Sequence, residues 1–261
     1  MNKNPTYKEL EKGFKELTDK ARNHRRVKKT LADNSERIKF FAYSISHDLK
    51  SPAISLYGLA KRLKKEYADI LDEKGQLYCD HILKTAEQIS TLVEQVNVFI
   101  STKETPLNIE KISLKEVLQV IREEFSSQLT LQEIKWTEPY FITEIMADRL
   151  CIFRVYRNII DNALKYGGED LTEIDIRYEE SEDFHILSVK DNGIGLRRED
   201  SGKDIFSPFV RRGTSKGIHG SGLGLNILKE IAEKHGGEVW LKPGSERGVT
   251  FYVSIRKDIH D

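Results

Sequence analysis

The chain has 261 residues, of which 38% are apolar, 32% charged and 9% aromatic. Lys plus Arg and Asp plus Glu number 42 each, so formal net charge is zero, which excludes a globally basic nucleic-acid binder and a highly charged disordered tail. The longest stretch free of Asp, Glu, Lys and Arg is Gly217–Leu228, short of the roughly 20 apolar residues of a membrane-spanning helix. The start, Met-Asn-Lys-Asn-Pro, has no apolar signal core, so a cytoplasmic location is expected, with any membrane association left to a partner or a longer protein.

Residues 1–30 carry ten Lys/Arg against four Asp/Glu, and Tyr7, Leu10, Phe14, Leu17 and Ala21 step by three and four. The pattern continues through Leu31, Ile38, Ala42, Ile45 and Leu49, which predicts a coiled coil over 1–33 leading into a longer helix. His47 lies two positions past Ile45 and so faces outward. Pro52 follows inside the helix, denies an N–H to the carbonyl of Asp48 and predicts a kink near His47. The seam resumes as Ala53, Leu56, Ala60, Leu63, Tyr67 and Ile70; Asp72–Gly75 reads as a turn. A second helix then carries Cys79, Ile82, Ala86, Ile89, Val93, Val96 and Ile100. One such hairpin over 34–103 cannot cover both seams, so a homodimer forming a four-helix bundle is expected.

Ser101–Asn108 reads as a linker, and the pattern changes beyond it. Ser113-x-x-Glu116 predicts a capping box opening a helix. Short strands are expected near 134–137 and 141–146. Asp148 is expected to cap a helix that runs to Tyr166 and closes at Gly167-Gly168. Strand patterns recur at Thr172–Tyr178 and Phe184–Lys190, a helix at Leu223–His235, and a hairpin about Pro243-Gly244. The fold class is therefore α+β: a helical hairpin followed, over 109–261, by a sandwich of one sheet and one helical layer. Cys79 and Cys151 sit in apolar segments far apart and read as buried thiols.

Three clusters in the second domain carry chemistry. Asn158, Asn162, Lys165 and Tyr166 share one helical face, where carboxamide oxygens beside a lysine suit a hard cation carrying phosphate; a solvated stripe has the same look. Asp191-Asn-Gly193-Ile-Gly195 ends a strand; the carboxylate can accept from an exocyclic amine, though the triplet is also turn chemistry. Gly220-Ser-Gly222-Leu223-Gly224 opens a helix whose amides favour phosphate, or serves as a flexible cap. Between the last two lies an irregular segment holding Phe206-Ser-Pro-Phe209.

In this order, the asparagine box, Asp-x-Gly-x-Gly, Phe-x-x-Phe and Gly-x-Gly-x-Gly resemble the nucleotide-binding boxes of sensor histidine kinases. Ser46-His47-Asp48-Leu-Lys-Ser51-Pro52 resembles their phosphoacceptor box. The resemblance implies a Bergerat-type ATP-binding domain, with ATP and Mg2+ as cofactors. His47 is then the phosphoacceptor, Asp48 its acidic partner, and Ser51 occupies a position linked to dephosphorylating the partner. Asn158 and Asn162 are implied at the metal. Lys165, Tyr166, Asp191, Gly193, Gly195, Phe206, Phe209, Gly220, Gly222, Leu223 and Gly224 are implied around the nucleotide. It also implies a separate response regulator receiving the phosphoryl group on aspartate and an upstream sensor or sensory domain. No nucleic-acid partner is expected. Two alternatives use the same domain: a non-catalytic dimeric nucleotide-binding scaffold, and a serine kinase or ATPase.

Overall fold

The structure is a computed structural model that describes residues 43–140, 144–195, 205–207, 222–244 and 247–258, with Arg22 and Arg26 as helical residues. The expected coiled coil over 1–33 otherwise lies outside the described residues, as do Phe209 and Gly220.

Helix α1 covers 43–66 in the described part and passes Pro52 without a break in its helical run. Helix α2 is Glu73–Glu104; Asp72 caps it by accepting from the Gly75 amide. Across the hairpin, Lys64 pairs with Asp80, and Gln76 Nε2 donates to the carbonyl of Ala68 at 3.5 Å. These contacts fix the antiparallel register of the hairpin near its turn. Small residues at heptad spacing are buried: Ser46, Ala53 and Ala60 on α1, and Cys79, Ala86 and Val93 on α2. The seam inside the hairpin thus passes through Ser46 rather than Ile45, which is exposed. Leu49, Leu56 and Leu63 on α1, and Ile70 in the turn after it, repeat every seven residues and stay exposed.

Helix α2 runs on to Glu104, so the expected linker is shorter than its polar composition suggested. Strand β1 (Ile109–Ser113) follows directly and pairs antiparallel with β3 (Glu144–Asp148). Helix α3 (Leu114–Leu131) starts where the capping box predicts, but Ser113 makes no side-chain cap bond and Glu116 binds Arg149 at 3.0 Å. Strand β2 (Lys135–Thr137), helix α4 (Arg149–Tyr166), strands β4 (Glu173–Glu180) and β5 (Phe184–Asp191), helix α5 (Gly224–Lys234), and strands β6 (Val239–Pro243) and β7 (Val249–Arg256) complete the domain.

The main sheet has the order β2-β4-β5-β7-β6, parallel only between β2 and β4. Its inward residues alternate, as in Ile174/Ile176, Leu187/Val189 and Phe251/Val253/Ile255, all buried. Against them pack the apolar stripes of the helices, including Ile121 on α3, Ile152 and Ile160 on α4, and Leu228 and Ile231 on α5. The expected α+β sandwich is present, with the β1–β3 ribbon as an added second sheet.

Candidate functional site

Helix α4 needs one face for the core and leaves another for the site. Cys151, Ile152, Val155, Tyr156, Ile159, Ile160 and Ala163 take the buried face. Burial pushes the Cys151 thiol up to about 12, with the Asp148 charge adding to it, so this cysteine is an inert core residue. Asn158 and Asn162 lie four apart on the remaining side and meet the first turn of α5. A Cβ on Gly224 would sit 3.0 Å from Asn158 Oδ1 and 4.0 Å from Asn162 Nδ2.

The two carboxamides are prepared differently. Asn158 Nδ2 donates to the carbonyl of Arg154 at 2.8 Å, which leaves its oxygen facing Gly224. Asn162 Nδ2 is buried and has no hydrogen-bond partner among the described residues. A half-turn of the terminal amide offers an oxygen from the same place, so Asn162 can serve a phosphate or a cation. An unpaired buried amide costs about 1–3 kcal/mol, a cost that a ligand would remove. The donor set fits a hard cation bound together with phosphate oxygens. Lys165, by contrast, is committed to Asp161 on its own helix at 2.6 Å.

Asp191 ends β5 in the middle of the sheet and is 5% exposed. Its Oδ1 accepts from the Gly193 amide at 3.1 Å. Asn192 does structural work: its Oδ1 accepts from the amides of Thr172 and Glu173, both at 3.0 Å. The Ile194 amide donates to the carbonyl of Gly167 at 2.9 Å, which ties this loop to the end of α4 near Tyr166. The approach is close enough to require glycine. A Cβ on Gly193 would stand 2.5 Å from Gly167 Cα; Gly195 has φ +72 and faces the backbone of Gly248. Gly167 and Gly248 were legible only as a helix stop and a strand start. Their part in shaping the site comes from pairing with glycines far away in sequence.

Leu223 is fully buried, so only its main chain can reach a ligand. The carbonyl of Phe206 accepts from Asn226 Nδ2 at 2.8 Å. Asn226 had no signal in the sequence beyond lying in a helix. Gly222 takes φ +73 just ahead of α5. Asn158, Asn162, Asp191, Gly193 and Gly224 therefore converge where the second half of α4 meets the start of α5 and the end of β5.

On the hairpin, His47 and Asp48 are 83% and 76% exposed as side chains, and His47 Nδ1 lies 3.3 Å from Asp48 Oδ1. Ser51 is exposed one turn further on, and its carbonyl accepts from Ser55 Oγ at 3.1 Å. Among the described residues no group of three or more His, Cys, Asp or Glu is placed to hold a metal ion. No helix among them is long and apolar enough to cross a membrane.

Residues 147–259 match the family of histidine kinase-, DNA gyrase B- and HSP90-like ATPases. The chain as a whole is similar to sensor histidine kinases. It is 29% identical over 229 residues to the phytochrome-like protein Cph1 of Synechocystis sp., covering 86% of this chain and 30% of the relative. It is 26% identical over 254 residues to the sensor histidine kinase YvrG of Bacillus subtilis, covering 95% and 43%. The chain thus spans less than half the length of these curated relatives. Among solved structures, full-length ShkA in complex with AMPPNP shares the fold at TM-score 0.64 and 21% identity, covering 84% of this chain and 46% of that one. Histidine kinase ThkA in complex with the response regulator TrrA matches at TM-score 0.57 and 25% identity, covering 82% and 60%.

Proposed function

We propose that this chain is the transmitter portion of a sensor histidine kinase, which transfers the γ-phosphoryl group of ATP to His47 and then to an aspartate of a separate response regulator. The observation that carries this reading is the convergence of Asn158, Asn162, Gly224 and the Asp191–Gly195 loop in one domain, joined to a helix that exposes His47 beside Asp48.

Asp191 is suited to accept from an adenine exocyclic amine, with Gly193 and Gly195 admitting the flat base. Asn158 and Asn162 would hold Mg2+, which when bound neutralises phosphate charge. Lys165, on leaving Asp161, would stand around the phosphates together with Tyr166 and the main chain of Gly222–Gly224. If His47 Nδ1–H donates to Asp48, Nε2 keeps its lone pair and points to solvent. Nε2 then attacks the γ-phosphorus in line. The bond to the bridging oxygen breaks, ADP leaves with that electron pair, and the Nδ1 proton passes to Asp48. The transition state is loose, so holding the two reactants in line matters more than base strength.

The exposed leucines of α1 support a homodimer, the named ThkA complex supports a response-regulator partner, and Ser51 is the residue to examine for phosphatase activity. Labelled ATP should give an acid-labile, base-stable adduct on the chain. His47→Gln should abolish it while nucleotide binding persists. Binding without any label leaves only a nucleotide-binding scaffold, and label on serine defeats the assignment.

A further inference from the structure

Asn226 stands in the first turn of α5, two residues beyond Gly224, and is 5% exposed. Its helical neighbours Ile227, Leu228 and Ile231 are buried and apolar. An apolar side chain of the same size would suit that setting better, because Asn226 Oδ1 is buried with no hydrogen-bond partner among the described residues. The other end of the carboxamide is used. Its Nδ2 donates to the carbonyl of Phe206, twenty residues earlier, at 2.8 Å. Ile205, next to that carbonyl, is buried as well.

An asparagine in a first helical turn can turn its oxygen to the open amides there. Asn226 Oδ1 accepts from none of them. Nor is the side chain suited to touch a nucleotide's phosphates. Its donor is committed to Phe206, and an acceptor oxygen repels phosphate. Its effect runs instead through the main chain at Phe206, which it ties to the same helical turn that sets Gly224 against Asn158 and Asn162.

We propose that Asn226 is a positioning residue for the nucleotide: its side-chain amide pins the main chain at Phe206 to the first turn of α5, so that this segment is in place before ATP arrives. This rests on the nucleotide-site reading above. Without the pin, binding must also order the segment, which weakens affinity for ATP. Once ATP is bound the reacting groups stand as before, so the limiting rate is kept.

The test uses the full chain. Asn226→Leu keeps the volume and removes both polar atoms. The half-saturating ATP concentration for autophosphorylation should rise about fivefold, as for the loss of one hydrogen bond, with the limiting rate within about twofold of wild type. Chymotrypsin should cut faster after Phe206, the site being located by mass spectrometry. The melting temperature should hold or rise, because an unpaired buried oxygen has been removed. A merely structural asparagine would instead lower the melting temperature and leave the ATP dependence unchanged. Asn226→Ala, which adds no bulk, should give the same shifts in ATP dependence and cleavage. Unchanged ATP dependence in a folded variant overturns the proposal, and so does loss of the fold in both. A fall in limiting rate with unchanged half-saturation overturns it too. Calorimetric binding of a non-hydrolysable ATP analogue to wild type, His47→Gln and both Asn226 variants runs alongside. Binding to the first two keeps the nucleotide site, so a failure then counts against Asn226 alone; if the wild type binds but takes no label, the dissociation constants carry the same fivefold comparison. Binding to neither overturns both readings.

Discussion

His235 is completely buried at the end of α5; its Nδ1 donates to the carbonyl of Ile231 at 2.8 Å, and its Nε2 accepts from the Asp148 amide at 3.3 Å. A protonated ring would turn that acceptor into a donor facing another N–H. Burial lowers its proton affinity below the ordinary 6.5 and Lys234 lowers it further, against opposing contributions from the Ile231 carbonyl and the Asp148 charge. The unfolded chain therefore takes up protons near pH 6.5 while the folded one does not, so stability is full above that pH and falls below it. Urea midpoints should decline between about pH 7.5 and 5.5, and His235→Gln should flatten the slope. It should not abolish it, since burial lowers His185 as well. Asp148 acts lower on the scale. Burial alone would raise its carboxyl, but the amides of Asn108 and Cys151 outweigh that and hold it below 3.8, so its contribution is present above 3.8 and lost in acid.

The loop from Asp191 to Gly195 shows which parts of an element are legible in sequence. Asp-Asn-Gly after an alternating strand announces a turn, and the structure has one there, braced by Asn192. The facing backbone of Gly167 and Gly248 could not be read, because contact between loops far apart in sequence leaves no periodic trace. Gly193→Ala would drive a methyl to within 2.5 Å of Gly167 Cα, and backbone cannot yield as a side chain can. Overpacking of this kind costs about 1–3 kcal/mol, and the expected outcome is a lower melting temperature with loss of nucleotide affinity measured by titration calorimetry. Helices α4 and α5 were legible because a 3.6-residue stripe and terminal glycines agree. Strand β1 was missed because it is short, follows α2 closely and pairs with β3 rather than with the main sheet. The serine at the start of α3 marked the boundary correctly but not the chemistry, since Glu116 is spent on Arg149.

Taken as a whole, the chain buries one side of its helical hairpin with small residues and leaves the large ones outside. Leu49, Leu56 and Leu63 on α1, Ile70 in the turn, and Leu77 and Ile82 on α2 remain exposed. Covering a leucine is worth about 1.5–3 kcal/mol, so a second copy is the expected cover. The full chain should sediment as a dimer at micromolar concentration, and Leu56→Asp with Leu63→Asp should shift it to monomer while nucleotide binding persists. The division between hairpin and sandwich was legible from the change of hydrophobic period. The fastening of α2 to α4 and α5, where Arg154 and Lys234 donate to Thr102 and Glu230 pairs with Lys103, was not, because these look like any charged residues on solvated helix faces. The Asp148 carboxylate has a further consequence. One oxygen receives Cys151 at the head of α4 and the other receives Asn108 just past the connection from α2. A single side chain thus anchors both the tether between the two halves of the molecule and the helix that presents the asparagines. Slack introduced into that tether would be felt first along α4, where Asn158 and Asn162 face Gly224.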